Sequence, residues 1–398
     1  MSKHRIRTSV SVAALSLCCV FLSLTSCTTI IDTVIQDKLG YTNAEVEELQ
    51  QTPDPEIKLN KITAMMVGEL TKMDNENDTS TIQDKISAKK LKQQVLAIEE
   101  QVFAPEPTGK EETVQIPVDG GTIPMVMVWP KDYEKKESFP LIMMIHGGSF
   151  SSGKFDTYQR LVSIFADKLD AIVAFPEYRL APEHKFPIAT EDVYAAWQWL
   201  VDHASEYKVD TSKLTIAGDS AGGNLAAGLS IRLYENNLPQ PSAVVLLYPN
   251  LTLMETVYPS RFLFGGIDGK VYIISGPAME RTITNYLGDP SRATEPYASP
   301  LIMLQGLVDI PGNKNPLAQY AIDAKPPVKL APTLLIVAQA DPLRDEAILY
   351  EASLKMLGTE TQMTVYDGVS HGFPMFDRIM PEGHEAMMEA TDFIAGHW

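Results

Sequence analysis

Cysteine is nearly missing from this chain. It has three in 398 residues, Cys18, Cys19 and Cys27, all in the first thirty. Beyond that point neither a disulfide framework nor a thiolate metal site is possible. Positive charge is in the minority, with 33 Lys and Arg against 51 Asp and Glu, for a net charge of −18. A phosphate backbone would repel such a surface, so no nucleic acid is expected as a partner. Repeats and low-complexity tracts are lacking, as is the Gly-Lys-Ser/Thr ending of a phosphate-binding loop. The apolar run at 10–24 is too short, and too rich in Ser and Thr, to serve comfortably as a membrane span. With 45% apolar residues the chain is neither disordered nor collagen-like. What remains is a globular protein of two or three domains, or one large α/β domain with additions.

Lys3, Arg5 and Arg7 precede that apolar run, the layout of a secretory signal. The run ends in Leu24-Thr25-Ser26-Cys27, which resembles the lipobox of bacterial lipoproteins. The resemblance implies removal of residues 1–26, acylation of Cys27 and anchoring of an exported protein to the cell-envelope membrane. Thr28 is not the aspartate associated with inner-membrane retention in some lipoproteins, so the outer membrane is favoured. The plainer alternative is an ordinary cleaved signal and a free Cys27.

Residues 27–111 read as a tether followed by an N-terminal helical cap region. Leu59, Ile62, Met66 and Leu70 within 56–73, and Leu91, Val95, Ile98 and Val102 within 87–103, are spaced for amphipathic helices. Their Met-bearing face fits core packing; a lid over an apolar pocket is the sharper alternative. From 112 to 398 strands and helices alternate. Strands are expected at 114–118, 124–129, 141–145, 171–175, 214–217, 243–247, 333–337 and 362–366, the first two closed into a hairpin at Asp119-Gly120-Gly121. Helices are expected at 157–169 and 189–203, from about 221 and 344, and at the end of the chain. Wholly apolar strands between helices indicate an α/β fold, a mainly parallel sheet covered on both faces. Chemistry in such sheets lies beyond the carboxyl ends of the strands. Residues 251–329 break the rhythm and read as a cap insertion beside that edge.

Gly218-Asp219-Ser220-Ala221-Gly222 fits G-x-S-x-G between a strand and a helix. A serine on so sharp an elbow needs glycine two places away on either side, and Ala221 N–H sits at the helix start. A glycine-rich turn without chemistry is the bland alternative. His146-Gly147-Gly148-Ser149-Phe150 follows another strand, and its small residues would let backbone N–H groups approach a developing oxyanion. Activation of Ser220 requires a base. Of seven histidines, His371 alone follows the last strand and comes late in the chain, whereas His203 and His384 fall in helices and His397 sits beside the end. Asp341, directly after the penultimate strand, is the candidate acid; Asp345, a helical turn further on, competes for that role but suits the helix N-terminus better.

Taken together, HGGSF at His146, Tyr178-Arg179-Leu180-Ala181-Pro182-Glu183, GDSAGGN at Gly218, DPLRDE at Asp341 and HGF at His371 resemble the hormone-sensitive-lipase-like branch of the α/β-hydrolases over 112–398. The resemblance implies an α/β-hydrolase fold with a helical cap and a serine carboxylesterase acting on small-molecule esters. Ser220 would be nucleophile, His371 base and Asp341 its orienting acid. The N–H groups of Gly148, Ser149 and Ala221 would form the oxyanion hole, with no metal and no cofactor. It also implies packing or ion-pair roles for Arg179 and Glu183. Two other readings stay open: an acetyl-ester hydrolase acting on envelope carbohydrate, and a catalytically silent, lipid-anchored binding protein on the same scaffold.

Overall fold

The computed structural model describes residues 63, 104–254, 258–264, 273–274, 276–307 and 329–398. The expected signal at 1–26, acylation at Cys27, the tether and the amphipathic helices at 56–73 and 87–103 lie outside the described residues. Thr63, a buried helical residue, is the exception.

Eight strands form one sheet, and each falls where the apolar pattern places it. They are β1 (Glu111–Val118), β2 (Gly121–Val128), β3 (Phe139–Ile145), β4 (Ile172–Pro176), β5 (Val209–Asp219), β6 (Ala243–Leu247), β7 (Thr333–Ala340) and β8 (Thr361–Ser370). Their order is β1-β2-β4-β3-β5-β6-β7-β8. The hairpin β1–β2 turns over Asp119 and Gly120, where Gly120 takes φ 78°. β2 pairs antiparallel with β4, and every pairing from β4 to β8 is parallel.

The helices are α1 (Phe155–Leu169), α2 (Ile188–Asp202), α3 (Ser220–Glu235), α4 (Pro259–Phe264), α5 (Gly276–Leu287), α6 (Pro300–Leu307), α7 (Arg344–Met356) and α8 (Pro381–Gly396). Strand side chains alternate between two buried faces, which is why the strands read as continuous apolar runs. Leu141, Met143, Val244, Leu246, Leu335 and Val337 pack on one face with residues of α2, α3 and α7. Ile142, Met144, Val245, Leu247, Leu334 and Ile336 pack on the other, against α1 and α8. Each such side chain, fully buried, stabilises the fold by roughly 1.5–3 kcal/mol before conformational entropy is counted.

The segment expected to be a cap insertion has a mixed character. Leu301 and Leu304 of α6 belong to the main core, and the Leu301 N–H donates to Leu251 O at 2.9 Å. Glu346 of α7 accepts the N–H groups of Leu251 and Thr252 at 2.8 and 3.0 Å and pairs with Arg261 of α4. The described ends of 251–329 are therefore fastened to the α/β domain itself.

Chain direction locates the site. From β3 the chain crosses by α1 to β4 on one side, then passes by α2 to β5 on the other side of β3. The carboxyl ends of β3 and β5 thus flank the switch point of the sheet, the place where such folds open a crevice.

Candidate active site

Register brings two of the expected loops together. Ile145 of β3 pairs with Gly218 of β5, so the residues that follow, His146-Gly147 and Asp219-Ser220, leave the sheet side by side. At the far edge Ala338 pairs with Tyr366 but Ala340 pairs with Ser370. That irregularity inserts two extra residues into β8 and puts Asp341 and His371 next to each other. Gly368 N–H, released from the ladder, donates to the Gln339 side chain at 2.8 Å.

Ser220 ends a strand and begins a helix in a single residue, with φ 51°. A Cβ on Gly218 would lie 2.4 Å from Gly222 O, and one on Gly222 would lie 2.1 Å from Ile145 O. Side chains are thus excluded on both sides of the elbow, as its geometry demands. The three chemical groups are in contact. His371 Nε2 lies 3.0 Å from Ser220 Oγ, and its Nδ1 lies 2.8 Å from Asp341 Oδ2. Asp341 Oδ1 accepts the Leu343 N–H at 2.8 Å, which fixes the carboxylate. With Asp341 acting as acceptor, Nδ1 carries the proton and the Nε2 lone pair faces the serine, the tautomer a base requires. Asp341 and His371 are both buried.

Asp345 does not compete. It accepts the Ser260 N–H at 2.8 Å and Arg344 Nε at 3.1 Å, joining α4 to α7 rather than facing His371. Arg179 forms a two-pronged ion pair with buried Asp192, at 2.9 and 2.6 Å, whereas Glu183 is exposed.

Ser149, standing where related loops carry a third glycine, adopts φ 56°, and Phe150 adopts φ 59°. Two left-handed non-glycine residues in succession cost on the order of 1–3 kcal/mol each. The surroundings hold them there: the Phe150 ring stacks on Tyr286 of α5 with centroids 3.8 Å apart, and Phe150 O accepts the Ala181 N–H at 2.9 Å. Among the described residues the N–H groups of Gly148 and Ser149 donate to no protein group. Ala221 N–H, in the first turn of α3, has no intrahelical acceptor. These are the three donors expected for an oxyanion hole.

Sequence reasoning missed the polar layer beneath. Asp219 is fully enclosed and accepts hydrogen bonds from Gly147 N–H, Tyr158 and Tyr248 at 2.7, 3.0 and 3.3 Å. Burial outweighs these donors and pushes its carboxyl up to about 6. His146, stacked on Tyr178 at 4.2 Å, is driven down to about 4 by its own burial. The available signal for Asp219 was a carboxylate closing an otherwise apolar strand. For Tyr158 and Tyr248 there was no local signal. Among the described residues no group of His, Cys, Asp and Glu side chains could hold a metal ion.

Residues 142–375 match the family described as alpha/beta hydrolase fold. The chain belongs to that family. This α/β-hydrolase is 28% identical to an ethyl acetate hydrolase of Pseudomonas putida over 280 residues, 70% of this chain and 80% of the relative. It is 30% identical to the esterase LipI of Mycobacterium tuberculosis over 275 residues, 69% of this chain and 78% of the relative. Among solved structures, a hyperthermophilic esterase from Pyrobaculum calidifontis superposes with a TM-score of 0.69 at 31% identity. That match covers 85% of this chain and 98% of the esterase.

Proposed function

We propose that this α/β-hydrolase is a serine carboxylesterase. The observation that carries the reading is the continuous contact Ser220 Oγ, His371 Nε2, His371 Nδ1, Asp341 Oδ2, at 3.0 and 2.8 Å. Esterase relatives that match most of their own length support it.

In the first step Ser220 Oγ bonds to the ester carbonyl carbon while its proton passes to His371 Nε2. The oxyanion that forms receives hydrogen bonds from Gly148, Ser149 and Ala221, donors that need no reorganisation at that moment. Asp341 stabilises the imidazolium. Collapse breaks the carbon–oxygen bond to the alcohol, which departs with the proton from His371. In the second step water attacks the acyl-serine and gives its proton to His371. Cleavage of the acyl–Oγ bond then returns a proton to Ser220 and releases the carboxylic acid.

Hydrolysis of p-nitrophenyl esters by the parent and by Ser220→Ala tests this. The account expects turnover in the parent and a loss of about 10⁴-fold or more in the variant, with an unchanged circular dichroism spectrum. Equal turnover in both would refute it. Export and lipid anchoring at Cys27 complete the proposal and rest on the Leu24–Cys27 sequence. Mass spectrometry of membrane-extracted protein should find an acylated N-terminal Cys27; an unmodified N-terminus at Cys27 or elsewhere would overturn this part.

A further inference from the structure

One carboxylate that the reaction scheme leaves unused joins the loops that it does use. Asp219 closes β5 immediately before the nucleophile. Its Oδ1 accepts Gly147 N–H from the loop after β3, and its Oδ2 accepts Tyr158 from α1 and Tyr248 from the end of β6. The Tyr158 hydroxyl in turn accepts the same Gly147 N–H at 2.9 Å, so Gly147 is clamped between two oxygens. The approach is close: a Cβ on Gly147 would lie 2.5 Å from Asp219 Oδ2.

Two consequences follow for the reacting groups. Gly147 N–H is turned inward, away from substrate, which fixes the peptide plane from which the next two residues turn. Gly148 then takes φ 106° and Ser149 φ 56°. On the other side Tyr248, held by its hydroxyl, sets its ring edge-on against His371, with centroids 4.8 Å apart and planes at 69°. Satisfying Gly147 and two tyrosines does not require a charge. A buried carboxylate is costly, and it persists where it positions something.

We propose that Asp219 is a positioning residue for ester hydrolysis. Its carboxylate holds Gly147 so that the N–H groups of Gly148 and Ser149 face the substrate oxygen, and through Tyr248 it braces the His371 ring. The inference rests on the esterase reading. Oxyanion stabilisation acts on the transition state and little on the bound ester, so a loosened loop lowers kcat and spares KM. Removing one donor outright costs about 10²–10³-fold in kcat, and misaiming two donors should cost about 10–100-fold.

The test measures kcat and KM for p-nitrophenyl acetate, and the inhibition constant of an alkylboronic acid, whose tetrahedral serine adduct places an oxygen in the same hole. Asp219→Asn and Asp219→Ala should each lower kcat by about 10–100-fold with KM within about twofold, Ala more than Asn. The boronate constant should rise by the same factor. Tyr158→Phe, which deletes a donor to Asp219 and an acceptor for Gly147, should show a smaller loss of the same pattern and covers the case in which the Asp219 variants do not fold. A folded variant whose kcat and boronate affinity stay within about twofold of the parent overturns the inference. So does one that changes KM alone. A parent without esterase activity would sink the functional reading first and this inference with it. An active parent with unaffected variants sinks this inference alone.

Discussion

Asp219 and His146 sit two layers apart in the same buried cluster, and their linkage to folding has opposite sign. The Asp219 carboxyl is raised from 3.8 to about 6, mainly by burial. Between those values the folded protein holds a proton that the unfolded chain releases. Stability from this group is therefore full below about 3.8 and is lost as pH rises through about 6. His146 is lowered from 6.5 to about 4, again by burial. Its contribution is full above 6.5 and is lost as pH falls through about 4. At about 1.4 kcal/mol per pK unit each effect amounts to about 3 kcal/mol, so over nearly the same window they cancel. Single variants separate them. Urea unfolding at pH 4.5, 5.5 and 6.5 would be compared for the parent, Asp219→Asn and His146→Gln. Relative to the parent, Asp219→Asn should gain stability as pH rises, by about 2–3 kcal/mol across the range, and His146→Gln should lose a similar amount. Differences that do not vary with pH, or that share one sign, would refute the assignment of a buried acid opposed by a buried neutral imidazole.

The remaining expectations concern single contacts. Asp341→Asn should lower kcat by about 10³–10⁴-fold by spoiling the His371 tautomer. Asp345→Asn should keep turnover per folded molecule and lower the melting temperature, because it frees Ser260 and Arg344 instead; kinetics beside calorimetry separates the two. Ser149→Ala retains the backbone donor, so its kcat should stay within about threefold of the parent. Gly222→Ala drives a Cβ into Ile145 O and should destabilise by about 3 kcal/mol or more, read as a fall in the urea midpoint. Arg160→Met strands the buried Asp377 carboxylate, which Arg160 holds at 3.0 and 2.6 Å, and should cost about 3–5 kcal/mol by the same measurement.

The sheet was legible because its central strands are buried on both faces. Runs such as 141–145, 243–247 and 333–337 have no polar alternation to confuse with a surface strand, and glycine-rich or charged loops bound them. The triad was legible because each member follows a strand end, and a parallel sheet places all strand ends on one edge. Other features depend on contacts distant in sequence and leave no local trace. The position of His371 beside Asp341 needs the two-residue irregularity in β8, which the pattern at 362–366 does not announce. Ser149 is tolerated in a left-handed conformation because Tyr286, more than a hundred residues later, stacks on Phe150. Asp345 reads locally as a helix-start carboxylate, yet its partner is Ser260 in a segment whose fold could not be read from periodicity. Asp219 was in view within the motif, but its task depends on Tyr158 and Tyr248, which no spacing connects to it.

Trapping the acyl-enzyme tests the central claim most directly. Protein treated with a p-nitrophenyl alkylphosphonate, digested and analysed by tandem mass spectrometry, should carry one phosphonyl group, on Ser220, with stoichiometric loss of ester hydrolysis. His371→Ala should react far more slowly. A parent that stays unmodified, or one modified at another residue as its activity disappears, would contradict the account.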